Sequence, residues 1–164
     1  MRLNQPLLNE LRHEADSTRK MLERVPADKF GWKPHEKSMS LASLSSHVAE
    51  LFSWLTMTLT TDELDFATNK YQPFVPQSTQ QLLDFFEDNL KKGTETLAAT
   101  SDEDMMKHWK LRHGDHIILD LPRMAVLRSF VFNHLVHHRG QLSVYLRLLD
   151  VPVPGMYGPS ADER

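Results

Sequence analysis

Three of the nine histidines in this 164-residue chain fall where helix geometry would gather their imidazoles. His134 and His138 are one helical turn apart, so on a helix both rings leave the same face, the spacing by which a helix offers two nitrogens to one metal. His47, flanked by Ser45, Ser46 and Glu50, stands one turn from both Leu44 and Leu51, on the apolar ridge of an earlier segment. Three inward imidazoles on two neighbouring helices would make a three-nitrogen site with positions left for water or substrate. That arrangement belongs to a catalytic rather than a structural metal. Zinc, nickel or iron suits such ligands, and nitrogen ligation alone does not choose among them. The chemistry would be Lewis-acid polarisation, or activation of a bound water or thiol.

Spacing alone leaves a blander reading open: a buried pair hydrogen-bonded to each other, to Gln141 or to a carboxylate. What favours a site is the expected placement of the pair in the core, where unpaired imidazoles cost free energy. His137, three residues after His134, is the rival to His138 as a ligand. His13, His35, His108, His113 and His116 share no face.

The elements that must carry these rings can be traced from the prolines, which leave free windows at 7–25, 35–72, 77–121 and 123–151. Four long windows predict four helices. The first has an apolar three-four alternation through Leu8, Leu11, Ala15, Thr18, Leu22 and Val25 and ends at Pro26. The second opens at a Ser40 cap and runs through Leu41, Leu44, Val48, Leu51 and Leu55. The third opens at Ser78 or Thr79 and carries Leu82, Leu83, Phe86, Leu90 and Leu97, with Gly93 as a weak point. Residues 107–119, around His113-Gly114-Asp115, read as a small hairpin or an irregular excursion. Asp120 is then the expected N-cap of a fourth helix running to about Leu149, with an extended tail after Asp150. Its expected core seam is Met124, Leu127, Val131, His134, His138, Gln141, Tyr145 and Leu148. The natural architecture is an all-α four-helix bundle in one domain spanning 1–164.

Composition narrows the function classes. The charge balance of 19 basic and 22 acidic residues gives −3 overall, which offers no field for a phosphate backbone or an anionic membrane. No nucleic-acid partner is expected. The absence of cysteine removes disulfides, thiolate metal sites and a cysteine nucleophile. No apolar run approaches the roughly 18 residues of a membrane span, and no signal-peptide core forms before Glu10 and Arg12. A soluble cytoplasmic protein with no membrane partner is expected.

The run Asn133-His134-Leu135-Val136-His137-His138-Arg139-Gly140-Gln141-Leu142 resembles the last-helix signature of the DinB-like superfamily. Trp32-Lys33-Pro34, Lys37-Ser38-Met39-Ser40-Leu41 and Leu44-Ser45-Ser46-His47-Val48-Ala49-Glu50-Leu51 are similar to its loop and second helix. Val153-Pro154-Gly155-Met156-Tyr157-Gly158-Pro159-Ser160 is similar to its C-terminal segment. The resemblance implies an up-down-down-up four-helix bundle, a homodimer, and one divalent metal held by His47, His134 and His138. It favours His138 over His137. Similar proteins include S-transferases that use low-molecular-weight thiols such as bacillithiol or mycothiol, and maleylpyruvate isomerases. A metal-dependent enzyme acting on a small-molecule substrate, with a thiol cosubstrate activated at the metal, is the expected function. A metal-dependent hydrolase and a non-catalytic, dimeric stress-response protein are the alternatives. Gln141, Tyr145 and Arg139 are the candidates for orienting a substrate.

Overall fold

Leu7, Leu8, Leu11, Ala15, Thr18, Met21 and Leu22 recur at three- and four-residue steps and are all buried, which makes helix α1 (Asn4–Leu22) a single amphipathic element. Helix α2 (Leu41–Glu50) starts where Ser40, in extended conformation, accepts the Ser43 amide on its side chain, satisfying an otherwise unpaired first-turn donor. The expected second helix is interrupted at Leu51 and Phe52 and resumes as α3 (Ser53–Thr60). Both residues keep right-handed helical dihedrals. The Trp54 and Leu55 amides bond three residues back, to Leu51 and Phe52, so the interruption is one tightened turn. Helix α4 (Thr79–Ala99) begins at Ser78, whose side chain accepts from the Gln81 amide. Gly93 in its middle is a contact point rather than a weak one, because a Cβ there would stand 2.7 Å from the Phe52 carbonyl oxygen. The computed structural model describes residues 2–163.

The chain is not all-α, and this corrects the four-helix-bundle expectation. After α3, β1 (Glu63–Asp65) pairs in parallel with β2 (His108–His113), and β2 pairs antiparallel with β3 (His116–Pro122), in the order β1-β2-β3. The hairpin turns at Gly114, which has φ +57°, with His113 opposite His116. β1 escaped notice because three residues are too few to display alternation, and its partner lies far along the chain, Leu64 facing Leu111. The expected Asp120 cap fails for a related reason: Asp120 sits in β3 opposite Lys110, and helix resumes only after Pro122. Trp109, Leu111 and Val126 form a small separate core against Met57, Leu64, Leu119 and Phe130. Short helix α5 (Asp102–Met106) precedes the sheet, capped by Ser101.

The final helical stretch is α6 (Arg123–Val126), a π-helical turn at Leu127–Phe132, and α7 (Asn133–Leu148). Its buried positions include Leu127, Val131, Leu135, Arg139, Leu142 and Leu146, with Arg123, Val126 and Phe132 beside them. Three successive steps of four drift about 40° each on an ideal α-helix, and the wider π turn absorbs that drift. The expected seam stepped by three from Val131 to His134, whereas the core steps by four to Leu135. His134 and His138 therefore line the border of the core, half-buried, and Gln141 and Leu148 are exposed. Helices α1, α2, α4 and α7 pack about the main cluster. The tail beyond Asp150 is irregular and folds back on the helices. Tyr157 reaches Glu14, and Arg139, 2% exposed, forms a 2.6 Å ion pair with the same Glu14. No helix among the described residues is long and apolar enough to cross a membrane.

Candidate metal centre

α2 delivers His47 and α7 delivers His134 and His138 to one point. His134 Nε2 lies 2.8 Å from His138 Nε2 and 3.2 Å from His47 Nε2. One ligand atom from each residue falls within 4.8 Å of the others. The Nδ1 of His47 donates to Glu50 Oε1 at 2.7 Å, and that of His138 donates to Gln141 Oε1 at 2.8 Å. In the tautomer that carries its proton on Nδ1, each of these rings turns an Nε2 lone pair toward His134. His134 has at most one proton to place between them, so at least one of the two contacts sets lone pair against lone pair. A cation among the three nitrogens resolves that conflict, and the residues present fit a divalent metal held by three imidazoles.

The surroundings of His134 and His138 favour the neutral form of both rings. Burial chiefly, then the neighbouring His138, His47 and His137 rings, pushes His134 down to about 4 from its ordinary 6.5. His138 is lowered as well, again chiefly by burial. His134 Nδ1 is buried without a hydrogen-bond partner. The Phe130 carbonyl, one turn back in the π-helical segment, is the group that favours its protonation. Trp54 stands edge-on to His134 with ring centroids 5.6 Å apart, and Phe130 tilts against Trp54 at 4.9 Å. These aromatic walls restrict ring rotation on one side of the centre.

Glu50 links the centre to a distant part of the chain. It is 6% exposed and accepts from both His47 and the Tyr71 hydroxyl. Desolvation, together with the Glu50 carboxylate, raises the Tyr71 hydroxyl well above the usual tyrosine range, so it remains a donor. Beside His47 and Glu50 lies a cavity of about 380 Å³.

The structure brings His47, His134 and His138 together and separates the other candidates. Gln141 touches the centre only through His138. Tyr145 turns away, its hydroxyl donating to the Met39 carbonyl at 3.2 Å and its ring edge-on to Trp32. Arg139 is tied into the Glu14 pair, with further bonds to Thr18 and Tyr157. His137 is exposed, its ring 4.7 Å from that of His138. Sequence reasoning passed over Glu50 as an orienting group, although its i+3 spacing from His47 was a readable signal. Tyr71 gave none, because it stands in an irregular connection.

A three-histidine centre straddling two helices, with an orienting carboxylate and an adjoining cavity, defines a class of site that could hold a metal ion. The DinB family model matches residues 1–164, and the chain belongs to the DinB family. It is 25% identical over 150 residues to the uncharacterized protein YrdA of Bacillus subtilis (strain 168), covering 92% of this chain and 85% of that one. A DinB-like protein from Bacillus cereus ATCC 10987 superposes with a TM-score of 0.72 at 23% identity, over 92% of this chain and 95% of its own. The DinB-like protein YjoA from Bacillus subtilis gives 0.71 at 19% identity, over 98% and 99%. The two solved structures share the fold.

Proposed function

We propose that this chain is a metal-dependent enzyme acting on a small molecule at the His47, His134 and His138 centre. The observation that carries this reading is the donor count: three imidazoles converge, no fourth protein ligand joins them among the described residues, and a cavity adjoins them. A structural metal site is ordinarily closed by four protein ligands. A divalent cation bound there would supply Lewis acidity, lowering the pKa of a thiol or water. Glu50 and Gln141 hold His47 and His138 in the ligating tautomer, and Trp54 and Phe130 keep bulk water from one side.

Thiol transfer is the reaction proposed first. A low-molecular-weight thiol forms a carbon–sulfur bond with an electrophilic substrate as the bond to the leaving group breaks, and the thiol proton passes to solvent. Support comes from the absence of cysteine in the chain, which leaves the thiol to a cosubstrate. Hydrolysis at the same centre is the variant. Zinc, nickel and iron are the proposed metals. A homodimer is the proposed assembly, supported by the exposed apolar stripe Val136, Val144 and Leu148 on α7.

Elemental analysis of untagged protein tests the centre. About one equivalent of metal per chain, lost in both His47→Ala and His134→Ala, is the expected result for a three-ligand site. A wild-type chain that stays metal-free after reconstitution would overturn it. Turnover lost in a folded His138→Ala, measured with thiols and electrophiles, would separate the enzyme from a non-catalytic metal protein.

A further inference from the structure

The cavity beside the centre has a composition that selects its occupant. Its apolar lining is Trp54 and Met57 from α3, Leu64 from β1 and Phe66 from the following connection; the uncharged Ser53 and Asn69 join them, and His47, Glu50 and Tyr71 complete the wall. Among the described residues, no lysine or arginine lines it. Arg112, which flanks β1, is engaged by Glu63 and Asp65. The acidic group in the wall is Glu50, and both of its oxygens are already occupied as acceptors. An anionic ligand placed here would lose its hydration against apolar walls and meet a carboxylate instead of a cation. Phe66 and Tyr71, 42% and 57% exposed, leave the mouth open to solvent with an apolar rim. At about 380 Å³ the space is in the range of cavities that enclose most of a small ligand.

We propose that this cavity binds the uncharged aromatic or alkyl body of the substrate and discriminates against anionic molecules. The proposal rests on the metal-dependent reading for its claim that the occupant is a substrate, but the binding chemistry belongs to the walls and persists without metal. Leu64 and Phe66 come from the strand segment and not from the helices, so the β1 region sets which body fits while α2 and α7 hold the reaction centre.

The test uses two probes with the same skeleton, uncharged N-phenyl-1-naphthylamine and its sulfonated counterpart 8-anilinonaphthalene-1-sulfonate, titrated by fluorescence into the full chain after metal removal. The uncharged probe should saturate near one equivalent and bind at least about tenfold more tightly than the sulfonate, which has no cation to replace its water. Met57→Trp should abolish binding by filling the space. Phe66→Arg, at an exposed rim position, should shift the preference about tenfold or more toward the sulfonate, and it keeps the test decisive should Met57→Trp fail to fold. Equal affinities for the two probes, or no change in preference in Phe66→Arg, would overturn the proposal. Probe binding by the metal-free chain leaves the pocket assignment standing whatever the fate of the metal reading.

Discussion

The Tyr71 hydroxyl stands 2.8 and 2.7 Å from the two oxygens of Glu50, a residue 21 positions earlier in the chain. Because Glu50 also accepts from His47 Nδ1, one buried carboxylate ties a histidine of the centre to the irregular connection between β1 and α4. Partners of this kind fix ring orientation and tautomer in metal sites.

Glu50→Gln keeps the size of the side chain and removes its charge. Metal affinity should fall about 10–100-fold, the ordinary effect of losing such a partner, measured by competition with a chromophoric chelator. Tyr71→Phe should weaken affinity less, since His47 keeps its acceptor. Unchanged affinity in Glu50→Gln would deny the carboxylate an orienting role.

Acid should destabilise the chain even without metal. His134 is held at about 4 against an ordinary 6.5, so between those values the unfolded chain binds more protons than the folded one. The stabilisation is complete above about pH 6.5, drains away as pH falls toward about 4 and changes little from this source below that. The lowered His138 acts in the same direction. Denaturant midpoints of the chelator-treated protein at pH 7.5, 5.5 and 4.5 should decline in that order, and less steeply in His134→Asn. A midpoint that rises on acidification would contradict the neutral, buried imidazoles.

Arg139→Ala should cost about 3–5 kcal/mol, because it leaves the Glu14 carboxylate, 5% exposed, without its partner at 2.6 Å. Thermal unfolding measures the loss. Metal content per folded chain should stay at the wild-type value, which separates this residue from His138, its neighbour in the chain, whose ring leaves a different face of α7.

Gly93→Ala in α4 would gain helix propensity on an exposed face. Here its Cβ would stand 2.7 Å from the Phe52 carbonyl oxygen, and the expected outcome is destabilisation by about 1–3 kcal/mol as α3 and α4 are forced apart. A stabilised variant in calorimetry would show that the two helices can separate freely.

His47, His134 and His138 were legible because each was read on a helix, and helical spacing converts directly into shared direction. Capping preferences found Ser40 and left Ser78 or Thr79 for the next helix, of which Ser78 is the cap. Helical spacing failed at α7, where the choice between steps of three and four after Val131 was decided by a π-helical turn and by an arginine standing at a core position. Arg139 reads as surface in sequence, and only its pairing with Glu14 across 125 residues makes it interior. β1 was illegible because its pairing with β2 is a tertiary event with almost no local signature. With it went part of the cavity wall, since Leu64 and Phe66 have no reason to be singled out until the strand is in place.

The clasp of Glu14 by Arg139 and Tyr157 has a kinetic side. Glu14 is made early, and its partners lie 125 and 143 residues further along. During synthesis at about 5–20 residues per second, α1 must wait several seconds with an unpaired carboxylate on its inner face. Closing the clasp is consequently a late event, and it carries the entropic burden of closing a loop that spans most of the chain. Refolding from denaturant should show the helices acquiring amide protection first, with the last protected contacts those that close the chain's two ends on each other.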